Sequence, residues 1–151
     1  MEFQPLQLEH IPVLRAYLQE KRSLLSNYSV GAMMMWRYTT RTCMAVEEDI
    51  LFLRSTFDDV HYYWMPLGGD LQRGFDLLVQ HVKAEEDVLR FTCIDREDRE
   101  KILARWPEAV TGDGDPVKWG DYVYDAPLMG TFAGKRYEKK RNHVNRFKKT
   151  Y

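Results

Sequence analysis

A chain of 151 residues, 44% apolar and 13% aromatic, has the length of about one domain and enough apolar matter for a real core, which excludes a disordered chain. No apolar run approaches the roughly 18 residues a membrane-spanning helix needs. The opening Met1-Glu2-Phe3-Gln4-Pro5 has neither the positive region nor the apolar stretch of a signal peptide, so a cytoplasmic location is expected.

The chain alternates helical and strand-like segments without a long linker. A first helix is expected over residues 8–22, with Ile11, Leu14 and Leu18 on one face and Pro12 tolerated near its start. Ser26-Asn27-Tyr28-Ser29 offers N-cap chemistry for a second helix through Met33 and Trp36. Strands are expected over 42–46 and 50–54, joined into a hairpin by Glu47-Glu48-Asp49. A third, over 61–65, is stopped by Pro66-Leu67-Gly68-Gly69. Asp70 caps the next helix, whose Leu71, Phe75, Leu78, Val79 and Val82 follow the 3.6 period. Residues 88–94 read as a strand interior to a sheet. Asp95 caps a helix carrying Ile102, Leu103 and Trp106, ended by Pro107. Gly112-Asp113-Gly114-Asp115-Pro116 is a loop, and 121–125 a short strand. The pattern is that of an α+β or mixed-sheet domain with helices packed on the sheet.

Several residues invite a chemical reading and also a plainer one. Gly68-Gly69-Asp70 before a helix could present N–H groups to an anion, but Asp70 would oppose a phosphate and no Walker-type lysine follows. A turn and an N-cap account for it. Asp113 and Asp115 lack the full calcium-loop pattern. His10, His61, His81 and His143 share no metal-ligand spacing, so no metal site is expected. Cys43 and Cys93 read as reduced thiols in apolar surroundings. Neither a nucleophile elbow nor a Ser/His/Asp pattern is present, and no catalytic residue can be named. Met33-Met34-Met35-Trp36 is either core or one wall of a greasy pocket. An intermediate reading puts one face in the core and Trp36-Arg37 at a cleft.

The net charge of −1 conceals two opposite bodies. Residues 134–151 hold eight Lys or Arg against one acid, Glu138, while the other 133 residues carry a net −8. Tyr137, Val144, Phe147 and Tyr151 stand at i, i+7, i+10 and i+14, a thin apolar seam on an otherwise charged helix. Lys135, Arg136, Lys139, Lys140, Arg141, Arg146, Lys148 and Lys149 can engage phosphates by charge and, for Arg, by bidentate hydrogen bonds. Asn142 and His143 add directional groups that a solvated face does not need. The competing reading is a solvated helix that balances its own acidic domain. Charge alone does not separate RNA, a lipid headgroup and the phosphates of a cofactor.

Certain segments carry a resemblance. They are Ser26-Asn27-Tyr28-Ser29-Val30-Gly31 leading to Met35-Trp36-Arg37, then Met65-Pro66-Leu67-Gly68, then Asp121-Tyr122-Val123-Tyr124. The most specific is Gly134-Lys135-Arg136-Tyr137 with Lys139-Lys140-Arg141-Asn142-His143-Val144-Asn145-Arg146-Phe147. In this order they resemble the N-terminal half of the bacterial family named after the C-terminal catalytic domain of phosphatidylglycerol lysyltransferase. Two positions depart from the family pattern, which often has Asp where Asn27 stands and Asn where Ala32 stands.

The resemblance implies a tandem of two acetyltransferase-like (GNAT-type) halves related to the Fem peptidyltransferases. This chain would be the first half: a GNAT-like domain with flanking helices over 1–133 and a basic boundary helix over 134–151. Lysyltransferases of this kind move an aminoacyl group from charged tRNA to a lipid headgroup. An acyl-CoA or aminoacyl-tRNA donor is then implied for a complete protein and no cofactor for this half, which is expected to be inactive alone. Tyr137, Val144 and Phe147 are expected to dock on a second half or a second copy. A tRNA or another anion is the alternative partner of the basic helix.

Overall fold

The computed structural model describes residues 1–112, 121 and 123–151, and the chain forms two compact units, Met1–Gly114 and Asp115–Tyr151. The first is built on a four-stranded sheet in the order β1 (Gln4–Pro5), β2 (Cys43–Glu47), β3 (Ile50–Phe57) and β4 (Val60–Tyr63). All three strand pairs are antiparallel. Both long hairpins close through two residues in the left-handed region, Glu48-Asp49 (φ 51° and 58°) and Asp58-Asp59 (φ 48° and 60°). Such turns match the right-handed twist of the flanking strands, and Asp tolerates this backbone better than most residues. The first turn is one residue shorter than expected because Glu47 pairs with Ile50 inside the ladder. The second brings β4 forward to Val60 and ends it at Tyr63.

β3 is covered on both faces, which is why its apolar run lacks alternation. Leu51 and Leu53 join Leu6, Leu14, Met33, Met34 and Trp64 on one side. Ile50 and Phe52 meet Tyr63, Leu77, Leu78 and Val82 on the other. The first side is covered by α1 (Ile11–Leu18) and α2 (Val30–Trp36), the second by α3 (Leu71–Ala84). α1 stops four residues before the expected end at Arg22. Beyond it Lys21 and Ser23 are drawn to Asp98 and Asp95, ties that a continued helix does not supply.

Caps fall where the side-chain chemistry places them. Ser29 accepts from the N–H of Ala32 at 3.1 Å to open α2, and Asp70 accepts from Gln72 at 2.7 Å and Arg73 at 3.1 Å to open α3. Before Asp70, Gly68 takes φ 79°, and a Cβ there would stand 2.6 Å from the Tyr17 ring. Asp95 caps α4 (Arg96–Arg105) through the N–H of Asp98 at 2.9 Å. α4 packs Ile102 against Phe75 and Met65, with Trp106 edge-on to Phe75 at 5.0 Å.

Two expected strands are corrected. Residues 88–94 do not form one: they touch β4 through an isolated parallel bridge, Tyr63 with Phe91, carried by Tyr63 N to Arg90 O at 2.7 Å and Thr92 N to Tyr63 O at 2.9 Å. Cys93 at φ 56° ends the extended backbone, and Phe91 turns into the Phe75–Trp106 cluster. The mixed character of the sheet is confined to that bridge. The other concerns 121–125: Asp121, Val123 and Tyr124 lie in no strand, and Asp125 caps a helix. Tyr122, Asp113 and Asp115 lie outside the described residues. The fold is α+β.

Candidate anion-binding surface

The second unit presents the basic helix on a short scaffold. Asp125 accepts from the N–H of Leu128 at 2.9 Å and opens α5 (Ala126–Thr131), with Pro127 in its first turn where a missing N–H is harmless. α5 ends at Phe132, whose φ of 49° is left-handed. Gly134, at φ 87°, leads into the 3-10 turn Lys135–Tyr137 and then α6 (Glu138–Thr150). Glu138 in the first turn and Lys148 and Lys149 in the last suit the helix dipole.

Arg141 holds this junction together. Its guanidinium donates to the carbonyl of Phe132, the residue that ends α5, and, at 3.2 Å, to that of Gly134, which leads into the 3-10 turn. Tyr137 lies 6.2 Å from the Phe132 ring and is only 6% exposed. Tyr137, Arg141 and Val144, at i, i+4 and i+7, are the buried and half-buried line of the segment. Arg141, also expected among the anion contacts, places its Nη1 on these two backbone carbonyls.

Lys139, Asn142, His143, Arg146 and Lys149 fall at i, i+3, i+4, i+7 and i+10, on the side of α6 away from that line, and all are exposed. From Lys139 to Lys149 this stripe runs about 15 Å at the helical rise. Among the described residues none of its cations takes part in an ion pair. Lys135 and Arg136 are exposed beside it, Arg136 standing 5.7 Å from the Tyr137 ring, and the Lys140 ammonium lies 5.1 Å from the Tyr124 ring. The apolar seam divides. Tyr137 and Val144 turn inward, whereas Phe147 and Tyr151 are 64% and 92% exposed, with ring centroids 5.1 Å apart.

Trp36 and Arg37 sit at the end of α2. Trp36 is about half exposed and its carbonyl accepts from the Thr40 hydroxyl at 2.9 Å. Arg37 turns back on the Met34 carbonyl and the Tyr38 hydroxyl. Met33 and Met34 belong to the core, and Met35 is exposed. Neither Trp36 nor Arg37 lines either of two shallow grooves in the first unit.

One of those grooves carries an acid–base cluster that the sequence reading missed. Open to solvent between Tyr17, Glu20, Lys101 and the Gly68-Gly69 wall, it has Lys21 and Asp98 at its floor. The Lys21 ammonium donates to both carboxylate oxygens of Asp98, at 2.6 and 2.7 Å, and stands 3.5 Å from Asp95. Burial pushes the Asp98 carboxyl up, against the pull of Lys21. Asp95 is held below the carboxylate range despite its own burial, by the Asp98 N–H, Ser23 and Lys21. An ammonium answered by two carboxylates is neither a free base nor an anion hook, so the cluster joins α4 to the chain after α1. Lys21 and Asp98 are separated by 77 positions, and no local pattern announces the pair. The second groove, lined by Asp59, His61, Glu85, Glu86, Asp87 and Arg90, is predominantly acidic.

Comparison with known proteins places the chain. The sequence profile of the family described as phosphatidylglycerol lysyltransferase, C-terminal, matches residues 19–151, which include the whole basic segment. A crystal structure of a conserved protein of unknown function from Bacteroides thetaiotaomicron VPI-5482 is similar with a TM-score of 0.88 and 25% identity. The likeness covers 100% of this chain and 51% of that one, so the chain spans about half the length of that protein. No curated protein sequence matches. On the profile match, the chain belongs to the phosphatidylglycerol lysyltransferase C-terminal family.

Proposed function

We propose that this lysyltransferase-related domain is the non-catalytic half of a GNAT/Fem-type acyl- or aminoacyl-transferase, acting in the cytoplasm, and that its α6 docks a phosphate-bearing partner such as the tRNA that carries an aminoacyl donor. The carrying observation is the exposed stripe Lys139, Asn142, His143, Arg146 and Lys149, with its cations unpaired among the described residues. Cations that fold a protein are usually answered by its own carboxylates; among the described residues these are not, which favours an answering charge from outside. The Arg141 junction fixes the stripe before any ligand arrives, which lowers the ordering cost of binding.

Inactivity alone is part of this reading. It is supported by the Lys21–Asp98–Asp95 cluster, whose groups answer one another, and by the stripe on α6, which offers cations, an amide and one imidazole but no oriented nucleophile. Fluorescence anisotropy with labelled tRNA tests the docking. Low-salt binding that weakens in a Lys139→Ala/Arg146→Ala variant supports it, and no binding at low salt removes it. Detectable aminoacyl or acetyl transfer by the purified 151-residue protein would overturn the non-catalytic assignment.

A second reading is favoured by Phe147 and Tyr151, two exposed aromatics at the end of α6. They fit docking on a second half of the same architecture or on a second copy. Concentration-dependent sedimentation that Phe147→Ser abolishes supports this reading; a monomer at all concentrations excludes the second copy.

A further inference from the structure

α3 turns one histidine into the core. His81 is 8% exposed, and its Nε2 has no hydrogen-bond partner. Its ring lies 5.1 Å from that of Phe3 and 6.1 Å from that of Tyr63. Tyr63 is itself fully buried, its hydroxyl facing the Arg54 guanidinium. The charged groups facing the imidazole are Arg54 of β3, Glu47 at the end of β2, Glu85 just past α3, and the Met1 α-amino group, which stands 3.7 Å from Glu47. The Arg54 guanidinium stacks on Phe3 at 4.7 Å. Burial first, then the Met1 amine, hold the histidine below its ordinary value, while Glu85 pulls the other way.

The two aromatic neighbours are held very unequally. Tyr63 belongs to β4, pairs with Arg54 across the ladder and carries the bridge to Phe91. Phe3 belongs to a segment whose only strand pairing is Gln4 and Pro5 on the edge of β2, both exposed. The first firmly held residue is Leu6, 1% exposed, with its N–H on the Thr42 carbonyl at 2.9 Å. A buried imidazolium needs water or an acceptor. α3 cannot swing away to supply it, because Leu77, Leu78 and Val82 anchor the same helix in the core.

We propose that residues 1–5 are an acid-released strap: when His81 takes a proton from solvent, Phe3 leaves its ring and the segment lifts from the edge of β2 as far as Leu6. Release hydrates the imidazolium and uncovers the Arg54 guanidinium and the Tyr63 hydroxyl beside it. The strap belongs to the first unit and is independent of what α6 binds.

Hydrogen exchange of the full chain, followed by mass spectrometry from about pH 8 to about pH 5 and corrected for the intrinsic rate, tests this, since one linked proton changes an opening equilibrium by up to about tenfold per pH unit. Protection of the Gln4 amide, at the pairing with Met44, is expected to fall as the pH drops below the ordinary histidine value of 6.5, with Leu6 still protected. His81→Phe keeps a packed ring and removes the proton, so protection should become independent of pH. In the unmodified protein, loss of the nuclear Overhauser contact between the Phe3 and His81 rings should share its midpoint with the titration of His81. Protection unchanged to about pH 5, or ring separation at a pH where His81 does not titrate, would overturn the proposal.

Discussion

The two units handle charge in opposite ways. Every ion pair among the described residues lies within residues 1–105, from Met1–Glu47 through the Lys21–Asp98 pair to Arg105–Asp76. The second unit carries the chain's densest run of cations and contributes no ion pair to that set. The arginine of the run that is hydrogen-bonded locally among the described residues, Arg141, uses backbone carbonyls. In the first unit charge holds elements together, and on α6 it is displayed. A cation already answered by its own fold has little left for a ligand, so the unpaired stripe is where an anionic partner gains most.

Substitutions can break that contrast in graded steps. The largest effect is expected from Lys21→Met, which leaves the Asp98 carboxylate buried and unanswered and should cost about 3–5 kcal/mol in a denaturant titration. Burial already raises the Asp98 carboxyl, so the folded protein binds a proton there more readily than the unfolded chain. The deficit of Lys21→Met should therefore shrink as the pH falls through the raised value and the carboxyl is neutralised. A deficit that grows on acidification would show that Asp98 is not the source. Ser55→Ala comes next. Ser55 accepts the indole N–H of Trp64 at 3.0 Å in a site that is 2% exposed, so its loss orphans a buried donor at a cost of about 1–3 kcal/mol.

Arg141→Ala should act locally, loosening residues 132–141 by about 1 kcal/mol, read as lost amide protection there. Lys139→Ala and Arg146→Ala are expected to be the mildest, within about 0.5 kcal/mol of the parent in thermal unfolding. If Lys139→Ala destabilises as Arg141→Ala does, the division between holding and displaying charge fails on α6.

Legibility in the sequence followed the range of the interaction. α3 and its Asp70 cap were readable because an apolar set at the helical period follows a residue that accepts from N2 and N3. The first hairpin was readable from its acidic turn between two apolar runs; Asp58-Asp59 is an equally acidic pair, but polar residues stand beside it in both strands, Ser55 and Thr56 before and His61 after. Residues 88–94 have the composition of a buried strand, and Phe91 is indeed half-buried. Its place in a cluster with Phe75 and Trp106, and the left-handed Cys93, depend on partners far along the chain. On the basic segment the period located Tyr137 and Val144 correctly, yet nothing distinguishes Arg141 from its cationic neighbours until the chain reversal at Phe132 brings two carbonyls to it. The Lys21–Asp98 pair was invisible for the same reason, since a buried ion pair 77 positions apart leaves no local pattern.

The display of charge on α6 is tested most directly by the salt dependence of tRNA binding. Each phosphate neutralised releases counterions, so the logarithm of the affinity should fall linearly with the logarithm of the salt concentration, with a slope of about −0.7 to −0.9 per contact. Lys139→Ala and Arg146→Ala should each make that slope shallower by about one contact while leaving the fold intact. A slope of zero, or one that neither substitution changes, would contradict the account.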